Sequence, residues 1–266
     1  GLASANNSQI VRSIVVVGSN VYVGGTFETA GGNPAKSVAV WNGSSWSALG
    51  NGLANIFPSP EVVLSLAASG SDIYAAGTFT KTGTAEVNRI AKWDGGTWSS
   101  LGNSTNSVNN IVNAVAVSGN DVYVGGQFDF AGGVAANNIA KWNGSAWSAL
   151  GSGVDSAVKA LAVSGTDVYA GGYFTTAGGS PANFVARWNG SAWSALGGGL
   201  TNGVLHGGDI GDGAIGEGIE YQGGFVAQFG ALAFQCLPAG FQSFFRLFGN
   251  TLHVRPSGFH TAHIGF

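Results

Sequence analysis

Residues 122–151 read VYVGGQFDFAGGVAANNIAKWNGSAWSALG, and this stretch decides the fold because the chain repeats its pattern four times. Here Tyr123 is followed by Gly125-Gly126, Trp142 and Trp147, and all four copies keep the same distances from Tyr to Gly-containing pair to both Trp residues. Only the link from the second Trp to the next Tyr varies in length, and it shortens along the chain. A constant interior with variable connections is typical of a stacked repeat protein. The repeated aromatic residues are Tyr22, Trp41, Trp46, Tyr74, Trp93, Trp98, Tyr123, Trp142, Trp147, Tyr169, Trp188 and Trp193.

The third copy shows how one unit divides into strands. Alternating apolar residues and turn signals predict four strands in it, at positions 112–117, 122–128, 139–142 and 146–151. Its Asn143-Gly144 pair is a strong signal for a tight hairpin between the last two. Four short antiparallel strands in about 50 residues is the size of a β-propeller blade. The sequence therefore predicts clear blades at positions 10–53, 61–103, 110–154 and 157–200.

The segment after position 200 differs in composition but keeps part of the pattern. It contains no Trp and all four His of the chain. When it is aligned without gaps so that Tyr221 lies on Tyr22, the pair Gly223-Gly224 matches the repeated Gly pair, while Gly240 replaces the first Trp. This match predicts a degenerate fifth blade at positions 200–252. The stretch 253–266 would supply a closing strand or a rim segment.

The resulting prediction is one all-β domain over positions 1–266, a β-propeller of five four-stranded blades. The alternative for the last segment is a separate cap that happens to contain Tyr and Gly-Gly. The opening Gly1-Leu2 resembles Gly52-Leu53, where one unit hands over to the next. We therefore expect that the chain is a processed product or a piece of a longer array, and part of a larger chain or assembly.

The repeated aromatic rings have a structural and a functional interpretation. Large rigid rings would fill the wedge between adjacent sheets, and the Gly pair would let a neighbouring strand approach closely. The functional interpretation is a set of exposed rings on which sugars stack. Because Trp is highly buried on average, the prediction is packing between blades.

Strand direction predicts which face of the molecule binds. The turns from the first to the second strand and from the third to the fourth share one face and are tight. The longer loops and the blade-to-blade links share the opposite face, and loops on a rigid scaffold are where binding usually resides. Amide and amine groups that could bond sugar hydroxyls or a peptide backbone recur there, at one equivalent position ahead of each first Trp. These candidate ligand-binding residues are Lys36, Asn88, Asn137 and Asn183. The competing interpretation is that Asn ends a loop by bonding its own backbone.

Composition excludes several classes of function. Charged residues make up 9% of the chain and the formal net charge is −3, so there is no basic stripe for nucleic acid. No apolar run approaches the roughly 20 residues that span a bilayer. The single Cys236 excludes an internal disulfide. Low charge and polar, uncharged loops favour a secreted or cell-surface protein.

Catalytic and metal-binding patterns are sparse. No nucleophile elbow, phosphate loop or dinucleotide fingerprint occurs. Four acids lie close together in a Gly-rich stretch, which makes calcium a possible ligand there, although the EF-hand pattern is absent. These weak metal candidates are Asp209, Asp212, Glu217 and Glu220. The prediction is no enzyme and no cofactor, with calcium as the exception to test.

The blade pattern, from the Tyr-x-Gly-Gly-x-Phe run at 123–128 to the Leu-Gly at 150–151, resembles known repeats. It is similar to kelch-type propeller repeats and more closely resembles those of fungal cortical polarity-marker proteins and of secreted bacterial propellers. The resemblance covers positions 10–200 well and 200–252 poorly. It implies a non-catalytic binding or scaffold role outside the cell, with a protein or glycan partner at the long-loop face. Two alternatives stay open: a lectin with repeated shallow sites, and an enzyme that uses the propeller channel with a metal held at 209–220.

Overall fold

The computed structural model describes residues 2–3, 9–55, 63–102 and 107–200. The predicted fifth blade beyond position 200 and the segment 253–266 lie outside the described residues. Within the described part, the four predicted units are four antiparallel sheets of four strands, each strand paired with the next in the unit. The strands are Ile10–Val17, Asn20–Thr26, Val38–Trp41 and Trp46–Ala48; Val63–Ser69, Asp72–Gly77, Ile90–Trp93 and Trp98–Ser100; Val112–Ser118, Asp121–Gly126, Ile139–Trp142 and Trp147–Ala149; Val158–Ser164, Asp167–Gly172, Val185–Trp188 and Trp193–Ala195.

The connection between the second and third strand of each sheet folds into a small hairpin. Sequence analysis predicted only a long loop there. The four hairpins pair Thr29–Ala30 with Asn33–Pro34, Lys81–Thr82 with Ala85–Glu86, Phe130–Ala131 with Val134–Ala135, and Thr176–Ala177 with Ser180–Pro181. Leu2–Ala3 adds a third strand to the first of these hairpins.

The four sheets stack face to face in chain order, as blades of a propeller do. Packing between successive sheets is concentrated on their first two strands. One buried cluster joins Val38 and Leu49 of the first sheet to Val63 and Ile73 of the second, and two further clusters join the second sheet to the third and the third to the fourth. Each of these cores therefore lies between two sheets, so a sheet buries its apolar residues against its neighbours.

Each second strand carries a pair of small residues, Gly-Gly in three sheets and Ala76-Gly77 in the second, and the pair of the third sheet makes two different close approaches. A Cβ on Gly125 would lie 2.4 Å from Val158 Cγ1 of the next sheet, and a Cβ on Gly126 would lie 2.0 Å from the Ile111 carbonyl oxygen at the start of its own first strand. The first strand is bulged at this point, between Val112 and Ala114. The predicted role of the pair, close approach of a neighbouring strand, is thus found at the first Gly, and the second Gly makes room for the bulge.

Polar side chains also join the first strands of successive sheets. Ser13 Oγ accepts a hydrogen bond from the Leu66 N–H at 2.9 Å, and Ser65 Oγ accepts one from the Val115 N–H at 3.2 Å. Between the third and fourth sheets, the Asn113 amide instead donates to the Val158 carbonyl at 2.8 Å. These bonds fix the register of one sheet against the next.

Candidate binding face

Two kinds of connection lie at the two ends of the strands, as strand direction predicts. The blade-to-blade links reach the hairpins of the long-loop end: the Leu53 N–H donates to the Lys36 carbonyl at 3.0 Å, and Ala54 pairs with Lys81 of the next hairpin. Val154 pairs in the same way with Ala177. We call the surface formed by the four hairpins and these links the hairpin face. The tight turns, such as Asn143-Gly144, form the opposite face.

A buried Phe anchors the base of every hairpin. Phe27, Phe79, Phe128 and Phe174 are all 2% exposed or less. The backbone closes around each of them; for example, the Asn138 N–H donates to the Phe128 carbonyl at 2.8 Å. This anchor follows the Gly pair by two positions in each unit, so its spacing was visible in the sequence, although its role at the hairpin base was not.

The hairpins share one frame, two residues paired with two above a buried Phe, but they differ in turn backbone and in exposed side chains. The first, third and fourth turn on two Gly residues with positive φ, whereas the second turns on Gly83 alone. The third hairpin presents two apolar residues, Phe130 and Val134, which are 48% and 41% exposed. The second presents Glu86, and the first and fourth end on Pro34 and Pro181, all exposed. A uniform frame with variable tips is the arrangement expected of a recognition surface.

The four residues predicted to bind a ligand lie at equivalent points of the hairpin face, one per sheet. Lys36, Asn137 and Asn183 are exposed, and Asn88 is half-buried. The backbone carbonyls of the three exposed residues accept hydrogen bonds from the following link. The Asn137 amide also donates to the Ser152 carbonyl at 3.0 Å. In these three units the position thus has a structural role, because it ties the hairpin base to the link.

The residue after each of these candidates has a left-handed backbone, which sequence analysis missed. Ser37, Arg89, Asn138 and Phe184 have φ values of 61°, 70°, 63° and 65°. In this conformation each carbonyl accepts a hydrogen bond from the second residue of the Gly pair, as in Asn138 with Gly126 at 2.9 Å. Asn favours left-handed backbone, but Arg and Phe do not. Only Asn138 therefore carried a local signal for this geometry.

A side-chain clamp holds two of the hairpins to the preceding link. Asp155 accepts hydrogen bonds from the N–H groups of Thr175 and Thr176 at 2.8 and 2.9 Å, and from the Thr175 hydroxyl at 2.9 Å. Asn109 holds the third hairpin through the N–H groups of residues 129 and 130, both at 3.1 Å. Burial alone would raise the pKa of the Asp155 carboxyl, but the hydrogen bonds from the two Thr residues outweigh burial and lower that pKa.

Replacing Asp155 with Ala is expected to loosen the fourth hairpin. Loss of a hydrogen-bonded charge worth about 1.5–3 kcal/mol should speed amide hydrogen exchange at Thr175 and Thr176 by about tenfold or more. Asp155→Asn is the matched control, because Asn109 makes the same clamp without a charge. The lowered pKa means that the charge contribution is present above the unfolded value of about 3.9 and is lost as the pH falls through the folded value. Wild-type exchange rates in Asp155→Ala would show that the hairpin does not depend on the clamp.

The Trp pairs of the second, third and fourth sheets pack against the preceding sheet. The two rings of each pair are 5.5–5.6 Å apart with planes at 51–52° in all four units. The second Trp donates its indole N–H to a Leu carbonyl of the preceding sheet in three units, Trp98 to Leu49, Trp147 to Leu101 and Trp193 to Leu150, at 2.7–3.0 Å. A Cβ on Gly102, next to Leu101, would lie 3.1 Å from the Trp142 ring. These contacts support the packing interpretation of the aromatic repeat and count against sugar-stacking platforms.

Ion pairs flank the repeated Tyr near the tight-turn face. Lys141 lies 2.6 Å from Asp121 and 5.7 Å from the centre of the Tyr123 ring. The second sheet has the same pair, Lys92 with Asp72, and the fourth has Arg187 with Asp167. Hydrogen bonding to Asp121 raises the pKa of Lys141, and burial raises the pKa of Tyr123. In the first sheet the equivalent positions are Asn20 and Val40, which cannot form an ion pair, so these charges adjust stability without determining the fold.

Alkaline conditions are expected to weaken the protein through these groups. A raised folded pKa gives stability that is present below the unfolded values of about 10–10.4 and is lost as the pH rises through the folded values. The temperature of the unfolding midpoint should therefore decrease between about pH 9 and about pH 11. The double variant Lys92→Gln/Lys141→Gln should show a shallower decrease, with a difference of at most about 1 kcal/mol per pair because the pairs are partly exposed. Parallel pH profiles for the two proteins would contradict this assignment.

The described part of the chain has neither a cluster of metal-ligating side chains nor a helix that could cross a membrane. Across residues 2–3, 9–55, 63–102 and 107–200, no three His, Cys, Asp or Glu side chains come together as metal ligands would. The candidates Asp209, Asp212, Glu217 and Glu220 lie outside the described residues. In the described ranges there is also no helix with the length and apolar character needed to cross a membrane.

Comparison with known proteins finds structural likeness only. No family model matches the chain, and no curated protein matches it. The crystal structure of the computationally designed Ika8 protein is 19% identical with a TM-score of 0.39, over 68% of this chain and 46% of that chain. The computationally designed Ika4 protein is 16% identical with a TM-score of 0.41, over 71% of this chain and 96% of that chain. The chain thus spans less than half the length of Ika8, and likenesses at these TM-scores carry no argument about function.

Proposed function

We propose that this protein is a non-catalytic binding module, secreted or displayed at a cell surface, that engages a protein partner through its hairpin face. In this proposal the molecule is a propeller of five sheets, the fifth supplied by the segment 200–252. The observation that carries the proposal is the uniform frame of the hairpins with unlike side chains at their tips. A partner would meet one rigid surface whose chemistry changes from sheet to sheet.

The third hairpin is the proposed centre of recognition. Phe130 and Val134 are large apolar residues that the described fold leaves exposed, and exposed aromatic side chains are the usual anchors of protein interfaces. The clamp from Asn109 holds the backbone of this hairpin in place. A preorganised anchor loses little conformational freedom on binding, which favours affinity. Lys36, Asn137 and Asn183 would supply the polar rim.

The two alternative functions receive less support. The lectin alternative requires aromatic rings exposed in the gaps between blades, whereas the Trp rings bond and pack against neighbouring sheets. A glycan bound by polar residues of the hairpin face is the second candidate partner, after a protein. The enzyme alternative depends on the acidic residues at 209–220, and no observation on the described residues favours it.

Site-specific photocross-linking tests the proposal directly. A benzoyl-phenylalanine replaces Phe130 on the hairpin face in one variant and Ala146 on the tight-turn face in the matched control, and each is irradiated with native cell-surface extract. We expect a discrete cross-linked partner from position 130 alone, and loss of that partner on adding Val134→Thr. Equal capture from both positions, or capture from position 146 alone, would overturn the choice of face.

A glycan array probed with and without a calcium chelator separates the partner chemistries. A blank array together with a position-130 cross-link supports a protein partner. Selective binding to one sugar class that survives Val134→Thr but is lost in Asn137→Ala would transfer the proposal to glycans. Binding that the chelator abolishes would give a calcium site a role.

A further inference from the structure

One face of the first sheet is apolar and uncovered in the described part of the chain. Ile14 and Val16 are each 62% exposed and Val11 is 41% exposed. In later sheets the positions equivalent to Val11 are buried, and Leu66 and Val115, which correspond to Ile14, are 8% and 6% exposed. The positions equivalent to Val16 are half-buried there. The same strand position thus changes from core to surface at the start of the stack.

In later sheets the preceding sheet covers these positions. A Cβ on Gly24 of the first sheet would lie 2.5 Å from Val63 Cγ1 and 3.2 Å from Leu66 Cγ of the second sheet. Gly125 meets Val158 in the same way, with 2.4 Å between the Cβ position and Cγ1. These distances show what a covering sheet would place against Val11 and Ile14. It would need a small residue such as Gly at the equivalent position of its second strand.

We infer that residues 201–252 of this same chain cover the face of Val11, Ile14 and Val16 and close the stack. This inference rests on the five-sheet ring proposed above and names the surfaces that join it. The chain continues from Leu200 to Phe266, which is long enough for one more unit of about 50 residues. Among the described strands, none of the first sheet packs on the fourth as successive sheets pack on each other. The segment 201–252 therefore has the length of the one unit that would join the fourth sheet to the first.

The alignment of Tyr221 with Tyr22 identifies the contacts of this joint. Gly223 takes the place of Gly24 and would lie against Val11 and Ile14. Phe248-Gly249 takes the place of Leu49-Gly50, so the Phe248 carbonyl would accept the indole N–H of Trp46. The other three second Trp residues already bond a Leu carbonyl of a preceding sheet, and in the described chain no sheet precedes that of Trp46.

The two joints of the covering segment would differ in strength. Gly240 and Phe245 stand at the positions of the two Trp residues, so the joint with the fourth sheet would lack the indole hydrogen bond to Leu196. The joint with the first sheet keeps Trp41 and Trp46. The joint with the first sheet, which no peptide segment connects, thus has the complete Trp pair. The joint with the fourth sheet has no Trp pair, but there the covering segment follows the fourth sheet directly in the chain.

Engineered cysteine pairs in the full chain test the inference, with Cys236→Ser as background. The test pair is Val11→Cys with Gly223→Cys. Gly125→Cys with Val158→Cys is the positive control, because the Gly125 Cβ position lies 2.9 Å from Val158 Cβ, slightly inside the separation of about 3.5–4.5 Å that a disulfide needs. Val11→Cys with Ser145→Cys is the negative control. Under mild oxidation we expect an intramolecular disulfide in the test pair at a yield within about twofold of the positive control.

The other outcomes overturn the inference. A disulfide-linked dimer from the test pair would show that a second copy covers the face, and a yield no higher than that of the negative control would show that residues 201–252 do not. If the positive control itself failed to oxidise, the variant Ile14→Thr/Val16→Thr would decide, since Thr keeps the strand preference of the residues replaced. A covered face predicts a fall of at least about 5 °C in the unfolding midpoint, and an unchanged midpoint overturns the inference. Neither measurement involves the hairpin face, so the binding proposal can fail while the joint is confirmed, and the reverse.

Discussion

The variant Gly126→Ala is expected to lose roughly 3–5 kcal/mol of stability, a large effect for a single methyl group. The added Cβ would lie 2.0 Å from the Ile111 carbonyl oxygen and 2.9 Å from Val112 Cα, both of which are backbone atoms. Backbone cannot rotate away as a side chain can, so the bulged first strand must move. That strand also carries Val115, whose N–H bonds Ser65 of the preceding sheet. Denaturant unfolding of the two proteins measures the difference.

Gly96→Ala is the matched control for this substitution. Gly96 lies in the tight turn of the second sheet, has no positive φ, and its nearest neighbour to a Cβ would be Asp94 Oδ1 at 3.7 Å. An Ala there should be neutral or slightly stabilising, because it restricts the unfolded chain. If Gly126→Ala unfolded at the same denaturant concentration as Gly96→Ala, the close approach at the bulge would not be a constraint on this fold.

The variant Trp147→Ala is expected to cost about 3–5 kcal/mol. Trp147 is 7% exposed, and its ring lies between Gly132 of its own hairpin and Gly102 of the preceding sheet. Removal of the ring leaves a cavity across the junction of two sheets and also leaves the Leu101 carbonyl without the indole N–H that it accepts at 3.0 Å. Thermal and denaturant unfolding should both show the loss.

Two Phe variants separate the hydrogen bond from the packing. Trp147→Phe keeps most of the ring and removes the indole N–H, so we expect a loss of about 1–3 kcal/mol from the unsatisfied carbonyl and the smaller ring. Trp142→Phe is the matched control in the same ring pair, because Trp142 is half-buried and the bond to Leu101 belongs to its neighbour Trp147. Equal losses in the two variants would assign the whole effect to packing and none to the bond.

Much of the described fold was predictable from repeat spacing alone. The constant intervals from Tyr to the two Trp residues predicted four units. The Asn143-Gly144 pair predicted a tight turn, and Asn143 closes that turn by accepting hydrogen bonds at its Oδ1. Spacing succeeds here because equivalent strand positions face equivalent neighbours at each of the three junctions between described sheets. The packing of Trp rings against a preceding sheet was also predictable, since large rigid rings at a constant interval fit the space between repeated sheets.

The parts that were not predictable depend on contacts between units. The left-handed backbone at Arg89 and Phe184 opposes the preferences of both residues, and it follows from the hydrogen bond to the second residue of the Gly pair. The strands of the small hairpins have two residues each, which is too short to show an alternation of apolar and polar residues. Asp155 bonds Thr175 and Thr176, which lie 20 and 21 residues further along the chain, and no local motif marks such a clamp. The candidate binding residues lie on the hairpin face, as predicted. The hydrogen bonds from the links to the backbone carbonyls of Lys36, Asn137 and Asn183 could not be predicted from the sequence.

The hydrogen bond from the second Trp to a Leu carbonyl of the preceding sheet, present in three units, has a consequence for how such chains can be divided. The stretch that repeats in sequence runs from one Tyr through its Trp pair to the following Leu-Gly. The compact unit of packing consists instead of the Leu-Gly end of one stretch and the Trp pair of the next. The two periods are out of phase. A cut in a variable link between a Trp pair and the next Tyr therefore removes an intact stretch and splits a packing unit. Duplication of a stretch, by contrast, restores both partners of every junction, and such an array can lengthen by whole copies without any new contact having to arise.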